Sequence, residues 1–278
     1  MTTRKLAVAA GVEVGPVGDQ PFRALGVRGA GRRPTLLQGA LTALLLILTG
    51  CATPGALHVY SLASAAPESV HDTGPEGAAE VPSFLAPDET LTGLAYDPFT
   101  DHFFLRLAPG NVIRVVDRPA RAIKREFKLA ALPSTGGGDL AIRPRDGHVF
   151  ALVPAEPGVV EFTRYGEFVR RFALDGLTAS ASGLAYDPAR DQLFVLSGRA
   201  PAVITTHALD GGQLARLALD QPTAPSSLGY DAEKKEFYVP LDRADHLGIF
   251  GDDGHLRRTL TERANFVDVG PRSFLRMF

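Results

Sequence analysis

Short apolar segments alternate with polar, turn-forming residues along the chain from about residue 56 onward. No stretch of this region sustains the 3.6-residue spacing of an amphipathic helix. Segments such as 193–196 and 203–207 are apolar or β-branched, while Gly, Pro and Asp separate them from their neighbours. The pattern predicts an all-β chain of short antiparallel strands.

One phrase recurs within this pattern. Gly-Leu-Ala-Tyr-Asp-Pro stands at 93–98 and again at 183–188, and two weaker copies bring the total to four. Its Asp and Pro are typical of a tight turn that joins a first strand to a second, and two further strands follow in each unit. Four antiparallel strands in about 44 residues match one blade of a β-propeller. The reference leucines lie 46, 44 and 44 residues apart, at Leu94, Leu140, Leu184 and Leu228.

The length of the chain indicates how many blades there are. Four units cover about 90–260, and the 228 residues from Cys51 onward accommodate about five. Residues 265–278 resemble the first two strands of a blade, 56–63 a third strand and 78–85 a fourth. We therefore expect 56–278 to form a five-bladed propeller closed by strands from both termini, which removes exposed edges. Six blades are the alternative, and the Pro-, Gly- and acid-rich segment 64–80 is predicted to be a loop.

The N-terminal region has the order of a secretory signal. Arg32 and Arg33 precede the apolar run Leu41–Leu48, which is too short to span a bilayer. The run ends in Leu-Thr-Gly-Cys at 48–51, which resembles the bacterial lipobox, and Cys51 is the only cysteine. The resemblance implies removal of 1–50, acylation of Cys51 and a short tether at 51–55. By resemblance to enterobacterial sorting, Ala52 favours the outer membrane, facing the periplasm or the exterior.

The repeat also resembles a known superfamily. Residues 183–219, "GLAYDPARDQLFVLSGRAPAVITTHALDGGQLARLAL", are similar to blades of NHL-repeat and gluconolactonase-like β-propellers, and in particular to the SdiA-regulated (YjiK-like) group. The similarity covers about 90–260 and implies a propeller fold. That group commonly carries Glu just before the Gly-Leu of this strand, whereas this chain has Thr92 and Ser182 there.

Carboxylates are the candidate metal ligands. In gluconolactonase-like propellers, carboxylates near one end of the channel bind a divalent cation that polarises an ester carbonyl. By this resemblance, Glu89, Asp139 and Asp268 are candidate ligands of a cation such as Ca²⁺, and the protein would be a metal-dependent hydrolase or lactonase. The leading expectation is that there is no cofactor and no catalysis, because the histidines do not cluster and no nucleophile motif occurs.

Two further sets of residues are candidates for ligand binding. Propeller sites usually lie where the central channel opens, on loops that enter first strands and loops that follow second strands. The second set of loops supplies Arg106, Arg199 and Arg243 from three different units, and three guanidinium groups could hold an anion. The first set supplies the hydroxyl-bearing residues Thr92, Ser182 and Ser227.

Composition narrows the choice of partner. The 278 residues carry a formal net charge of −2 with scattered basic pairs, which argues against nucleic acid. The sequence therefore favours a lipid-anchored cell-envelope propeller that serves as a binding platform for a protein, an envelope polymer or a small ligand. The alternatives are the metal-dependent hydrolase and a structural subunit of an envelope assembly.

Overall fold

The computed structural model describes residues 55–272, apart from positions 134, 157, 178–180, 225, 243–245 and 263. These residues form twenty strands, and within the described ranges no helix is long and apolar enough to cross a membrane. The first eleven strands are β1 (Leu57–Ala63), β2 (Ala66–Gly74), β3 (Gly77–Pro82), β4 (Thr90–Asp97), β5 (His102–Ala108), β6 (Val112–Asp117), β7 (Ala122–Lys128), β8 (Leu140–Arg143), β9 (His148–Val153), β10 (Gly158–Thr163) and β11 (Phe168–Ala173). The remaining strands are β12 (Ala181–Asp187), β13 (Gln192–Ser197), β14 (Val203–Ala208), β15 (Gln213–Ala218), β16 (Gly229–Asp231), β17 (Glu236–Pro240), β18 (Leu247–Phe250), β19 (Leu256–Leu260) and β20 (Phe266–Pro271).

The strands form five four-stranded antiparallel sheets. Blades 1 to 4 contain β4–β7, β8–β11, β12–β15 and β16–β19, and blade 5 has the order β20-β1-β2-β3. The first strands of the blades contact one another in turn, β4 to β8, β8 to β12, β12 to β16, β16 to β20 and β20 to β4. This closed ring confirms the predicted five-bladed β-propeller, and the six-bladed alternative is wrong.

Blade 5 joins the two ends of the propeller, as predicted, because β1 pairs with β20 from Leu57↔Pro271 to Leu62↔Phe266. The positions of the segments within blade 5 differ from the prediction. Segment 56–63 supplies the second strand rather than the third, and segment 64–80 is not a loop, since β2 and β3 occupy most of it. β3 is largely exposed and β2 is mostly half-buried, so neither strand needs strict apolar alternation, which explains why their sequence resembles that of a loop.

The recurring Asp-Pro pair forms the expected turn between the first and second strands. The Oδ1 atom of Asp97 accepts a hydrogen bond from the backbone N–H of Phe99 at 3.0 Å, and Asp187 accepts one from Ala189 at 2.9 Å. Four residues after each of these aspartates, Asp101 and Asp191 adopt positive φ angles of 59° and 57°. Each accepts a hydrogen bond from the tyrosine hydroxyl of its own repeat. The turn therefore holds each tyrosine by its hydroxyl.

The apolar core lies between neighbouring blades. The largest cluster joins blades 1 and 2 through Phe104, Val149 and Phe162, all completely buried, and four similar clusters fill the other interfaces. The glycine of the repeat belongs to this packing. A Cβ atom at Gly93 would lie 2.6 Å from the carbonyl oxygen of Gly138, and one at Gly183 would lie 2.7 Å from the carbonyl carbon of Ser227. The repeat therefore requires Gly where first strands approach most closely.

Candidate functional site

Asp139 lies at the centre of the ring and is completely buried. One carboxylate oxygen accepts a hydrogen bond from the backbone N–H of Leu94, at 3.2 Å, and the other accepts N–H bonds from Leu184 and Leu228, at 3.0 and 3.1 Å. These donors belong to the first strands of blades 1 and 3 and to the segment that leads into β16 of blade 4. The Ser227 hydroxyl also donates to Asp139, and its oxygen accepts a hydrogen bond from the backbone N–H of Val267 in blade 5. A single carboxylate therefore connects the blades across the channel.

Burial has strong electrostatic consequences at this centre. Loss of hydration raises the pKa of Asp139 to about 8, against the opposing effect of the N–H groups of Leu184, Leu94 and Leu140. The neighbouring guanidinium of Arg106 is completely buried too, and burial lowers its pKa to about 10 while the charge of Asp139 acts in the opposite direction. Both groups are thus held away from solvent inside the ring.

The side chain of Arg106, in blade 1, forms hydrogen bonds with blade 2. Its Nε atom donates to Oδ1 of Asn111 at 2.7 Å, and its Nη1 atom donates to the carbonyl oxygens of Gly138 and Leu152. Its Nη2 atom has no hydrogen-bond partner among the described residues. These contacts give Arg106 a structural role within the protein interior.

A cavity of about 290 Å³ opens at the other end of the channel, where the first strands run into their turns. All five blades contribute to its wall. The lining is mainly apolar, and this end is opposite to the loops on which the sequence placed the candidate site. The wall consists of Gly55, Leu57, Tyr96, Pro98, Ala141, Ile142, Pro144, Tyr186, Pro188, Tyr230, Asp231, Ala232, Glu233, Asp268, Val269, Gly270 and Pro271. We call this cavity the turn-end pocket.

The recurring phrase builds the turn-end pocket. The position two residues after each reference leucine, or after Val267 in blade 5, contributes to the wall in every blade, and so does the position four residues after it. The first set is Tyr96, Ile142, Tyr186, Tyr230 and Val269, and the second is Pro98, Pro144, Pro188, Ala232 and Pro271. The sequence predicts a turn at each Pro but was not interpreted as forming this pocket. The repetition of the two positions was the signal that could have found it, because equivalent positions of first strands meet around one axis.

Three acidic residues line the turn-end pocket. Asp268 is half-buried, and it accepts hydrogen bonds from the backbone N–H of Tyr96, at 2.6 Å, and of Val269, at 2.8 Å. Burial raises the pKa of Asp268 to about 7, although these N–H groups oppose the shift. Asp231 is buried and its Oδ1 atom caps its own turn, whereas its Oδ2 atom has no hydrogen-bond partner among the described residues. Glu233 is the third acid.

The three predicted metal ligands do not form one site. Glu89 accepts hydrogen bonds from Arg114 at 2.8 and 2.9 Å and from the backbone N–H of Ala86, so it stabilises a loop. Asp139 is surrounded by N–H and hydroxyl donors, and Asp268 lies in the turn-end pocket. Among the described residues, no group of three His, Cys, Asp or Glu side chains could hold a metal ion. The expectation that these carboxylates converge on one metal ion is therefore wrong, because each of the three accepts hydrogen bonds from its own separate set of protein donors.

Arg106 and Arg199 do not take part in the predicted ring of arginines. Arg106 is buried inside the ring, whereas Arg199 is exposed and pairs with Asp242. The expectation that Arg106 faces a surface ligand is wrong, because its guanidinium bonds to backbone carbonyls of the next blade. Arg243 lies outside the described residues, and so does Cys51, whose acylation stays a prediction.

The hydroxyl-bearing candidates complete local hydrogen bonding. Thr92 donates to the carbonyl of Arg106 at 3.1 Å, and Ser182 donates to that of Leu196 at 3.2 Å. Both residues stand at register shifts where the first strand contains one extra residue opposite the second. Ser227 is buried beside Asp139. The structure thus gives these three hydroxyls structural partners.

Comparison with known proteins supports the architecture. No family model matches the chain, and no curated protein matches it either. Among solved structures, it is similar to a chain of a nidogen/laminin complex at 14% identity and a TM-score of 0.54, covering 78% of this chain and 99% of that one. Glutaminyl cyclase from Myxococcus xanthus gives 16% identity and a TM-score of 0.47, covering 64% and 69%. The likeness to the chain of the nidogen/laminin complex, at 14% identity, supports the fold alone. The resemblance to NHL-repeat and SdiA-regulated proteins stays a prediction.

Proposed function

We propose that this protein is a non-enzymatic β-propeller binding protein and that the turn-end pocket receives its ligand. The observation that supports this most directly is the convergence of all five blades on one mainly apolar cavity that contains Asp268, whose pKa is raised. Ligand sites are commonly concave and apolar with a few polar groups and perturbed titratable residues. At about 290 Å³ the pocket suits a small ligand or a single side chain of a partner.

The metal-dependent hydrolase receives no support from the positions of its proposed ligands. A cation site needs carboxylate oxygens that are free to coordinate. Glu89 is paired with Arg114, and both oxygens of Asp139 accept backbone N–H groups. No contact described above favours the structural-subunit alternative over binding.

The binding function can be tested with a variant that fills the pocket. A Cβ atom at Gly270 would meet only Cδ1 of Tyr96, at 3.5 Å, so Gly270→Leu should place a side chain in the cavity without a backbone clash. We would screen small cations, neutral compounds and anions against the full chain by saturation-transfer NMR. Ligands that bind the wild type and Ala215→Leu, which adds the same bulk to exposed strand β15, should not bind Gly270→Leu. If no compound distinguishes Gly270→Leu from the control, the pocket is not the binding site.

We also propose that the propeller is anchored in the bacterial envelope by acyl chains on Cys51, with a protein or envelope polymer as the natural partner. The support is the order of the basic pair, the apolar run and Leu-Thr-Gly-Cys at 48–51. Replacing Cys51 by Ala should abolish labelling with a fatty-acid analogue and release the protein from membranes. Ala52→Asp should retain the label but shift the protein to the inner membrane of an enterobacterial host. Unchanged labelling of Cys51→Ala would refute the anchor.

A further inference from the structure

The charged side chains that line the turn-end pocket are all acidic. Asp231, Glu233 and Asp268 line it, and none of the described lining residues is Lys, Arg or His. Two basic side chains lie near the wall but are engaged or exposed. The ammonium of Lys234 lies 3.9 Å from Oδ2 of Asp231 and its side chain is exposed, and Arg190 interacts with Tyr230 and pairs with Asp187. A mainly apolar wall lowers the local dielectric constant and so strengthens the attraction of these carboxylates for a cation.

Asp231 supplies a second, independent indication. Its side chain is 3% exposed. Its Oδ1 atom accepts the backbone N–H of Glu233 at 3.0 Å, but its Oδ2 atom is buried without a hydrogen bond from any described residue. A buried carboxylate oxygen without a donor is costly, because desolvation is not repaid. A ligand N–H group or positive charge in the pocket would compensate for that cost.

The aromatic residues in the wall add a third indication. Tyr96, Tyr186 and Tyr230 contribute to the pocket from blades 1, 3 and 4. The hydroxyls of the first two donate to Asp101 and Asp191 at 2.8 and 2.6 Å, and these bonds fix the rings in place. Tyrosine rings attract organic cations electrostatically. Each of these rings also packs against a phenylalanine, Phe103, Phe150 or Phe194, so only the part of the ring that lines the pocket is available to a cation.

These observations define the ligand class. We propose that the turn-end pocket binds a small organic cation, an ammonium group carried on a compact apolar body. The inference rests on the proposed function, since it names the ligand of the same pocket. An inorganic metal ion fits less well, because no group of three potential ligands comes together among the described residues and most of the wall is apolar.

Three probes of nearly equal shape test the proposal. Choline is the cation, 3,3-dimethylbutan-1-ol replaces its nitrogen by carbon, and 3,3-dimethylbutyrate carries a negative charge. Isothermal titration of the full chain should give a Kd for choline about tenfold or more below that of the alcohol, with no binding of the butyrate. Equal affinity for choline and the alcohol would overturn the cation inference while leaving pocket binding intact. Absence of choline binding would overturn it as well, and the compound screen with Gly270→Leu would decide separately whether the pocket binds other ligands.

Matched variants assign the preference to its residues. Asp231→Asn keeps an oxygen to cap the turn but removes the charge, so it should lower the choline-to-alcohol preference at least about threefold, with little effect on the alcohol. Asp210→Asn is the control, because Asp210 caps an exposed turn through Gly212 in the same way and does not line the pocket. Tyr230→Leu should likewise weaken choline more than the alcohol. If Asp231→Asn and Asp210→Asn retain the same preference, Asp231 does not recognise the cation and the inference fails.

Discussion

The hydroxyl oxygen of Ser227 lies 2.9 Å from Oδ2 of Asp139, although 88 residues separate them in the chain. The contact is buried and joins the segment leading into blade 4 to the start of blade 2. Together with the N–H bonds from Leu94 and Leu184, this contact means that the side chain of Asp139 bonds to several repeats that are distant in the sequence. Asp139 therefore stabilises the closed ring rather than any single blade.

Replacing Asp139 by Ala should strongly destabilise the protein. The change leaves the buried N–H groups of Leu94, Leu184 and Leu228 without an acceptor, and each such loss costs about 1–3 kcal/mol. We expect the free energy of unfolding in urea to fall by about 3 kcal/mol or more. Ser182→Ala, which removes one hydroxyl bond to Leu196, should cost only about 1 kcal/mol. Equal losses for the two variants would contradict the role of Asp139.

The stability of the protein should decrease as the pH rises from about 5 to about 8. Burial raises the pKa of Asp139 to about 8 and that of Asp268 to about 7, whereas an unfolded aspartate titrates near 3.8. Between these values the folded state binds protons that the unfolded state has lost, so each unit of pH lowers the free energy of unfolding. Buried His207 opposes this trend, because its lowered pKa favours the neutral ring and makes stability rise with pH near 6.5.

Urea unfolding at several pH values, compared between the wild type and Asp268→Asn, separates these contributions. The variant keeps an oxygen for the N–H of Tyr96 but cannot titrate, and His207 is the same in both proteins. The slope of stability against pH between 5 and 7 should therefore become less negative in the variant, by up to about 1.4 kcal/mol per pH unit. Identical slopes would show that Asp268 does not bind a proton in this range.

Removal of the last strand should prevent closure of the ring. A chain truncated after Ala264 lacks β20, and β1 then loses every partner from Leu57↔Pro271 to Leu62↔Phe266. We expect circular dichroism to show no cooperative thermal transition, because the edge of β1 is left unpaired and the first strands β4 and β16 lose their contacts with β20. A chain truncated after Arg272 keeps all of these pairs and serves as the control. A wild-type midpoint for the shorter chain would contradict closure through β20.

Arg106 and Arg199 are equivalent candidates in the sequence, but their replacement should change the free energy of unfolding by very different amounts. Arg106→Ala removes buried hydrogen bonds to Asn111, Gly138 and Leu152 and leaves a cavity, so we expect a loss of about 3 kcal/mol or more. Arg199→Ala removes an exposed pair with Asp242 and should cost less than about 1 kcal/mol. Denaturant unfolding of both variants measures the difference, and comparable losses would refute the assignment.

The fold could be predicted because its signals are local and repeated. Asp97 and Asp187 form their turns with neighbours two residues away, and such chemistry is visible in the sequence. The prediction for segment 64–80 was wrong because β2 is mostly half-buried, β3 is mostly exposed, and both owe their pairing to backbone hydrogen bonds. Composition carries little information about a strand of that kind.

The site could not be predicted, because its chemistry depends on partners far along the chain. Nothing near Asp139 in the sequence indicates that N–H groups 45 and 89 residues away surround its carboxylate. In the sequence, Arg106 is indistinguishable from a surface arginine. Its burial depends on the loop that contains Gly138, whose carbonyl oxygen accepts a hydrogen bond from Arg106. The tyrosines of the repeat line the turn-end pocket, which the sequence does not reveal, because periodicity does not distinguish a packed interior from the wall of a cavity.

The position of Gly55 limits where the pocket can lie in a cell. Gly55 lines the turn-end pocket and stands four residues after Cys51. A fully extended chain of four residues spans about 14 Å at most, which limits the distance from Cys51 to Gly55. If Cys51 carries the proposed acyl chains, the mouth of the pocket lies close to the lipid headgroups, on the membrane-facing side of the propeller. Its ligand would then arrive along the bilayer surface, and the loops at the opposite end would be left facing the open compartment.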